Sequence, residues 1–264
     1  MVQSDSAFGI ALSAMTFASI AEHYDTHLAE HYTWLFGGLP QRAAENKKAF
    51  LELGLGGKQG ARALDLGAGS GFQSIPLAEL GYAVTSVDLS RKLLDELAAN
   101  AKGLPITIKH EDFLRTLAAS EPGLELCVCM GDTLTHLSSF GDVQRVFREV
   151  HRVLAPGGTF VLAFRDLTHA LEGVERFIPV RADENTVFTC FLEYEGDHVR
   201  VYDLIHTKTP EGWEFKKSVY RKLRIANDWA KKRLVEMGYS IVREDLARGM
   251  GTIVARKPLT GPTL

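Results

Sequence analysis

The sequence has few cysteines and no long uninterrupted apolar run. Its 264 residues include three cysteines, Cys127, Cys129 and Cys190, an odd number in apolar or strand-like contexts that does not suggest a disulfide framework. The apolar stretch at residues 9–21 is broken by hydroxyl side chains, and no basic segment precedes it. It therefore predicts neither a signal peptide nor a bilayer span. We expect reduced core thiols in a cytoplasmic protein with no membrane contact.

A strong excess of charge is also lacking. Lys and Arg number 30 against 33 Asp and Glu, a net charge of −3. A nearly neutral chain is not typical of a dedicated nucleic-acid or membrane-surface binder. The basic stretch at residues 216–233 fits a solvated outer face better than a nucleic-acid contact. With 45% hydrophobic residues, the chain is long enough for one globular unit with a sizeable core.

From residue 61 onward, short apolar strands alternate with helical stretches. The strands are predicted at 63–66, 83–87, 106–109, 124–130 and 159–164. The helices are predicted at 72–80, 91–100, 113–118 and 143–154. After a helix at 228–237, two closing strands are expected at 239–244 and 252–257. This alternation predicts an α/β fold with a Rossmann-like, doubly wound, seven-stranded and mostly parallel sheet.

The flanking regions follow other patterns. Residues 8–36 have the apolar spacing of a helix, and a short helix to about residue 53 follows the Gly37-Gly38-Leu39-Pro40 break. Strand-like runs at 187–194, 199–205 and 213–223 predict a three-stranded antiparallel meander. We therefore expect a helical N-terminal lid (1–58), a main domain (59–257) with an antiparallel β insertion at about 170–225, and a tail (258–264).

A glycine-rich run stands where the first strand meets its helix. Asp65 precedes Gly67, Gly69 and Gly71, and glycines here let backbone N–H groups approach a ligand. The dinucleotide fingerprint G-x-G-x-x-G would need glycine where Phe72 stands. An acid beside the loop suits a ligand with cationic groups better than a pyrophosphate.

Acidic residues follow the next two strands. Asp88 ends the second strand, where an acid can accept hydrogen bonds from ribose hydroxyls, and Ser90 is the better candidate for the helix cap. After the third strand, Asp112 can accept from an adenine amino group while Phe113 covers the ring. The alternative for Asp112 is a solvated loop acid or a helix cap. The fourth strand is followed by a stretch ending in His136, next to the expected topological switch.

These four elements, with the Pro156-Gly157-Gly158 turn, resemble class I S-adenosylmethionine-dependent methyltransferases. Segments 83–88, 131–137 and 164–166 are further similar to those of glycine N-methyltransferase-like small-molecule enzymes, as is the aromatic-rich opening at 24–37. Asp132 stands where that group usually has Asn, and Leu167 where an aromatic is expected. These departures argue against glycine itself as the acceptor.

The resemblance implies S-adenosyl-L-methionine as cofactor and methyl transfer to an N, O or S nucleophile of a small molecule by in-line displacement. His136, or an N-terminal histidine, is a candidate general base. Arg165 is a candidate for a substrate carboxylate, with a salt bridge to Asp166 or Glu172 as the alternative. The expected cofactor-binding residues are Tyr24, Tyr32, Trp34, Arg42, Asp65, Gly67, Ala68, Gly69, Gly71, Asp88, Leu89, Asp112, Phe113, Met130 and Gly131.

Several assignments have alternatives. The aromatic residues of the first helix either line the site or belong to a core, and Arg42 either clamps the cofactor carboxylate or lies on the surface. His23, His27 and His31 share a helix face, which favours a partly exposed face over a metal site, so we expect no metal. The rival functions are an NAD-dependent oxidoreductase and a non-catalytic adenosyl-ligand-binding module. The sequence leaves a homo-oligomer open.

Overall fold

The computed structural model describes residues 19–56, 59–247 and 249–259. These residues form a seven-stranded sheet in the order β10-β11-β5-β4-β1-β2-β3 and a four-stranded sheet in the order β6-β7-β8-β9. The strands of the larger sheet are β1 Arg62–Leu66, β2 Ala83–Asp88, β3 Ile106–His110, β4 Leu124–Cys129, β5 Leu154–Arg165, β10 Ser240–Ala247 and β11 Met250–Arg256. The predicted doubly wound α/β fold is confirmed.

The order of the larger sheet creates the crevice in which a ligand can bind. Strands β1 to β5 pair in parallel, whereas β11 pairs antiparallel with both β5 and β10. Strand β1 lies between β2 and β4, so the chain leaves β1 in opposite directions along the sheet. Open α/β sheets bind ligands at this switch point, at the carboxyl ends of the strands.

Helices cover the larger sheet along apolar stripes. After the N-terminal helices α1 and α2, which are described below, the helices are α3 Leu39–Glu52, α4 Ser74–Glu79, α5 Arg91–Asn100, α6 Phe113–Ala119, α7 Phe140–Val153 and α8 Asn227–Glu236. In α7, Val143, Phe147 and Val150 are buried at helical spacing and pack with Phe160 of β5 in the main core. None of the described helices is long and apolar enough to cross a membrane.

The smaller sheet has one more strand than the sequence predicted. Its strands are β6 Phe177–Ala182, β7 Thr186–Glu195, β8 His198–Thr209 and β9 Gly212–Leu223. The prediction of three strands was wrong because β6 is an edge strand with mostly exposed residues and no apolar alternation. It also contains Pro179, beside a register irregularity, and proline is tolerated in a sheet chiefly at such edges.

The N-terminal segment is helical but not uniform. Residues 8–18 of the predicted helix lie outside the described residues, and the visible part consists of α1 Ile20–His23, a π turn Tyr24–Leu28, and α2 Ala29–Leu35. We call residues 20–35 the N-terminal segment. Leu28 packs against Phe188 and Ile205 of the smaller sheet. The segment is thereby anchored to the four-stranded sheet as well as to the larger one.

A buried ion cluster joins the two sheets. Asp132, in the loop after β4, accepts hydrogen bonds from Lys222 Nζ of β9 at 2.9 Å and from Arg165 Nη1 at 2.8 Å. The side chains of Lys222 and Asp132 are only 12% and 5% exposed. Burial alone would raise the pKa of Asp132, but Lys222 and Arg165 outweigh it and hold that pKa well below its ordinary range. Lys222 is therefore not part of a solvated basic face, contrary to expectation.

This cluster predicts that Asp132→Asn lowers the free energy of unfolding at neutral pH by about 1.5–3 kcal/mol, because two cations lose a buried partner. The pKa is depressed in the folded state, so the stabilisation is present above the unfolded pKa of about 3.9 and declines as the pH falls toward the folded value. Urea unfolding at about pH 7 and pH 3 measures both effects, and the gap between the proteins should narrow at the lower pH.

The matched control is Glu244→Gln. It removes the ion pair between Lys231 and Glu244, whose side chains are 34% and 42% exposed. An exposed pair contributes about 0–1 kcal/mol, so this variant should unfold like the parent. An Asp132→Asn protein that matches the parent at every pH would contradict the role of the cluster.

Candidate active site

The glycine loop between β1 and α4 adopts a backbone that side chains would obstruct. Gly67 and Gly71 have φ of +75° and +96°. A Cβ at Gly67 would stand 2.4 Å from the Thr133 side chain, and one at Gly71 would stand 2.4 Å from Leu97 Cδ1. Gly67 and Gly69 line a cavity, whereas Gly71 packs toward α5 and Ile75. Glycine is therefore required at Gly67, which faces the cavity, and at Gly71, which faces the core.

Asp88 ties the glycine loop to the end of β2. Its Oδ2 accepts a hydrogen bond from Gly69 N at 2.8 Å, and its Oδ1 accepts one from Ser90 N at 2.8 Å. Burial raises the pKa of Asp88, and the backbone N–H donors partly offset this. Both oxygens keep acceptor capacity for donors in the cavity. Ser90 is the cap of α5, as predicted, since its Oγ accepts from Leu93 N.

Asp112 has the cap role that the sequence left open. Its Oδ1 accepts from Leu114 N at 2.7 Å and from Arg115 N at 3.3 Å at the start of α6. The same residue lines the cavity together with Phe113. Because both recorded bonds go to one oxygen, Oδ2 is available for a ligand while the cap is kept.

These residues surround a cavity of about 400 Å³ at the carboxyl ends of β1 to β4, a size typical of small-molecule sites. The predicted residues that line it are Tyr24, Tyr32, Gly67, Gly69, Asp88, Leu89, Asp112, Phe113, Gly131 and His136. Sequence reasoning missed Ser19, Ile20, Ala21, Ser90, Leu93, Leu114, Thr133, Leu137, Ser138 and Asp142. Ser90, Leu114 and Leu137 directly follow predicted residues, and that adjacency was the available signal for these three.

Aromatic rings form one wall of the cavity. Tyr24 Oη lies 3.2 Å from His136 Nε2, and the Tyr24 and Tyr32 ring centroids are 5.9 Å apart. Tyr32 stacks on Phe72 with 5.6 Å between centroids. Tyr220 of β9 lies behind this wall, 5.5 Å from the His136 ring. No sequence signal indicated Tyr220, because it comes from the smaller sheet, far away in the chain.

His136 is a neutral imidazole in this environment. Burial, followed by repulsion from Lys222, lowers the pKa of His136 to about 3. Its Nδ1 is buried without a hydrogen-bond partner among the described residues. A neutral imidazole can accept a proton, but the lowered pKa makes His136 a weak base, and its role as a general base stays a prediction. His136 can orient a ligand as a hydrogen-bonding group.

Two expected cofactor residues of the N-terminal region point away from the cavity. Trp34 Nε1 donates to Asp183 Oδ2 at 2.7 Å, so the indole is held by the smaller sheet. Arg42 Nη1 donates to Glu45 Oε2 at 3.0 Å on the surface of α3, which corresponds to the surface alternative. Neither lines the cavity among the described residues.

Other expected residues support the cavity from behind. Asp65 is 1% exposed and its Oδ2 accepts from Ser74 Oγ at 2.6 Å; burial raises its pKa to about 7. Ala68 is buried, and Met130 packs against the core beneath β4. Asp65, Ala68, Met130 and Gly71 do not line the cavity among the described residues, so a direct cofactor contact by any of them stays a prediction.

Arg165 is held by an acid within the chain. Its backbone N and its Nη1 both donate to Asp132, at 2.7 and 2.8 Å. The expected alternatives, Asp166 and Glu172, are not its partners in the described contacts. Arg165 does not line the cavity, so the geometry gives it no contact with a ligand there.

His27 and His31 are half-buried, as expected of a partly exposed face, but His23 departs from that expectation. His23 is fully buried, with its Nδ1 2.6 Å from Ser218 Oγ and its Nε2 3.2 Å from Asp203 Oδ2. The described residues contain no group of three or more ligands suited to a metal ion. Cys127 and Cys129 are buried free thiols in β4, as expected for core residues.

Comparison with known proteins finds a methyltransferase domain and similar methyltransferases. A family model described as a methyltransferase domain matches residues 63–158. The glycine/sarcosine N-methyltransferase of Aphanothece halophytica is 33% identical over 107 residues, 40% of each chain. The glycine N-methyltransferase of Rattus norvegicus is 31% identical over 183 residues, 63% of this chain and 61% of that protein. The chain thus spans less than two thirds of the length of either relative.

Solved structures agree on the fold. The SAM-bound amino pentose methyltransferase CalS10 from Micromonospora echinaspora superposes with a TM-score of 0.65 at 16% identity, covering 87% of this chain and 93% of that one. This superposition extends well beyond residues 63–158. Residues 63–158 thus match a methyltransferase domain, and the chain has the fold of solved S-adenosylmethionine-dependent methyltransferases.

Proposed function

We propose that the protein transfers a methyl group from S-adenosyl-L-methionine to the amine nitrogen of a small molecule by in-line displacement. One observation carries the proposal. The cavity combines the Gly67–Gly69 loop and the Asp88 carboxylate with a wall whose only imidazole among the described residues, that of His136, is a weak base because burial lowers its pKa. A site of this kind suits an adenosyl ligand and an acceptor that needs no deprotonation by the enzyme.

The residues present fit the cofactor. Asp88 offers acceptor capacity for the two ribose hydroxyls, and Asp112 Oδ2 with Phe113 suits the adenine amino group and ring. Gly67 and Gly69 let the amino-acid portion of the cofactor approach the backbone closely, because a side chain at either position would occupy the space between the loop and Thr133 or Tyr32. When bound, the cofactor supplies an electrophilic methyl group on a cationic sulfur. Tyr24 and Tyr32 present ring faces that attract a cation and exclude water.

We infer the acceptor atom from the protonation states of Tyr24 and His136 on the cavity wall. Burial holds the pKa of Tyr24 well above its ordinary value, so its hydroxyl stays protonated while His136 stays neutral. Neither group is suited to take a proton from a phenol or an alcohol at neutral pH. A neutral amine carries its own lone pair, and orientation of the two reactants supplies much of the rate enhancement. Two similar proteins are named as N-methyltransferases, which supports the same assignment.

We further propose that Arg165 does not select the acceptor through a carboxylate. Asp132 already pairs with Arg165 and Lys222, and Arg165 lies off the cavity wall. Glycine-type acceptors, which the two relatives' names indicate, are therefore disfavoured here. An amine attached to a neutral or polar body fits better, in line with the amino pentose methyltransferase among the structural neighbours.

The rival functions are weaker on this geometry. Phe72 is buried under Tyr32 where a dinucleotide site needs glycine, which disfavours an NAD-dependent oxidoreductase. Lys222, Arg224 and Lys231 of the basic stretch bind acids or backbone carbonyls within the chain, which favours a small-molecule acceptor over a nucleic acid. Three free thiols fit a reducing, cytoplasmic compartment.

The test of this function is a labelled-methyl screen with matched acceptors. Mass spectrometry of the purified protein for retained cofactor comes first. Amines, phenols and carboxylic acids on the same ring scaffold are then offered with methyl-labelled S-adenosylmethionine. We expect turnover on amines, preferably those without a carboxylate. Nicotinamide cofactor binding would favour the oxidoreductase, and binding without turnover across the screen would favour the non-catalytic module.

The assignment of Asp88 predicts a loss of cofactor affinity. Asp88→Ala should weaken adenosylhomocysteine binding by about 1.5–3 kcal/mol, roughly 10- to 150-fold, because a charged acceptor is removed. Titration calorimetry measures the dissociation constant. The matched control is Asp142→Ala, which removes an acid at the rim of the same cavity whose Oδ2 accepts from Ser139 Oγ. An unchanged constant in Asp88→Ala would remove Asp88 from the site.

The pH dependence should follow the acceptor rather than the enzyme. With His136 and Tyr24 fixed in their neutral forms, kcat/KM at saturating cofactor should rise with pH and level off above the pKa of each amine tested. Profiles for a weakly and a strongly basic amine should therefore be displaced from one another by the difference in their pKa values. One bell-shaped profile shared by both amines would instead indicate a base on the enzyme.

A further inference from the structure

Ser90, next to the cavity, is hydrogen-bonded to two carboxylates from different parts of the chain. Its Oγ donates to Asp25 Oδ1 of the N-terminal segment at 2.5 Å, and its backbone N donates to Asp88 Oδ1 at 2.8 Å. Ser90 itself is 1% exposed. A change in the hydrogen bonding of Ser90 would therefore displace Asp25 or Asp88.

The hydrogen bonds continue from Asp88 into the glycine loop. Asp88 Oδ2 accepts from Gly69 N at 2.8 Å, so a connected path runs from Asp25 through Ser90 and Asp88 to Gly69. The segment that carries Asp25 also returns to the loop by a second route. The Tyr32 ring lies 3.3 Å from where a Cβ of Gly69 would stand. Both routes end at Gly69, so they hold the segment against the middle of the glycine loop.

We propose that Asp25 is a positioning residue for the cofactor. It holds the Ser90 hydroxyl, and through Ser90 the Asp88 carboxylate, in the orientation that receives the ribose, and it keeps Tyr24 and Tyr32 on the cavity wall. Asp25 does not line the cavity itself, so it acts through these neighbours. The inference rests on the proposed function, in which this cavity binds the adenosyl ligand.

Hydrogen bonding, rather than charge, is the relevant property of Asp25. A second carboxylate near Asp88 repels it, and Asp25 contributes to raising the pKa of Asp88. The favourable term is the short bond from Ser90 Oγ, supported by a longer one from Lys92 N at 3.4 Å. An amide oxygen at position 25 can accept the same bond, whereas a methyl group cannot.

The test compares Asp25→Ala, Asp25→Asn and Glu30→Ala. Glu30 is the matched control, because it lies on the same segment and pairs with Lys92 of α5 at 3.5 Å, but its side chain is 69% exposed. Calorimetry gives the dissociation constant for adenosylhomocysteine. Hydrogen–deuterium exchange, without ligand, reports on residues 20–35, and exchange in α7 checks that the rest of the fold is intact.

We expect Asp25→Ala to weaken adenosylhomocysteine binding by about tenfold, the ratio that corresponds to one lost hydrogen bond. Asp25→Asn should stay within about threefold of the parent, and Glu30→Ala should match it. Exchange of residues 20–35 should be faster in Asp25→Ala only. Steady-state kinetics should show the change mainly in KM for the cofactor, since the methyl-transfer geometry is restored once it is bound.

Two results would overturn the proposal. The first is an Asp25→Ala protein that binds adenosylhomocysteine and exchanges hydrogen like the parent. The second is an equal loss of affinity in Asp25→Ala and Glu30→Ala. If Asp25→Ala does not fold, an Asp25→Asn protein with a full tenfold loss would also overturn it. The exchange measurement needs no ligand. A parent protein that fails to bind adenosylhomocysteine would thus count against the proposed function, while the contact between Asp25 and Ser90 would still be tested.

Discussion

The site depends on one carboxylate, that of Asp88, shared between two backbone N–H groups. Its bond to Gly69 N closes the glycine loop against the end of β2, and its bond to Ser90 N fixes the start of α5. The loop is also held by the bonds from Gly67 N and Ala68 N to Val87 O. Glycine residues with positive φ are flexible in an unfolded chain, so these bonds convert a loose turn into a preformed cradle. A preformed site avoids part of the ordering cost of binding.

Much of the fold could be predicted from the sequence because its signals are local. Five parallel strands separated by amphipathic helices give patterns that few other folds share, and each predicted strand overlaps an observed one. The acids at strand ends were predictable for the same reason, since parallel strands end at one edge of the sheet. Strand β6 was missed because an exposed edge strand with Pro179 carries no apolar period.

The pairing of charges across the chain was not predictable. Lys222 lies in a basic stretch that resembles a solvated face, yet its partner Asp132 is 90 residues away in sequence. His23 has the spacing of an amphipathic helix, but a second sheet packs on it and supplies Ser218 and Asp203. In both cases the pairing joins the four-stranded sheet to another part of the chain, and one sequence alone does not show how that sheet packs on the rest of the chain.

This long-range pairing also shapes the electrostatics of the cavity. Lys222 Nζ lies 5.8 Å from the Tyr220 ring centroid, and Tyr220 lies next to His136 on the cavity side. An unpaired cation at that place would repel a sulfonium ligand through a medium of low dielectric. Asp132 offsets one of the two charges, and Lys222 in turn helps to keep His136 unprotonated. Asp132, which departs from the glycine-type pattern, therefore has two effects. It pairs with Arg165, which could otherwise bind a carboxylate, and it reduces the positive charge near the cavity that would repel a cationic cofactor.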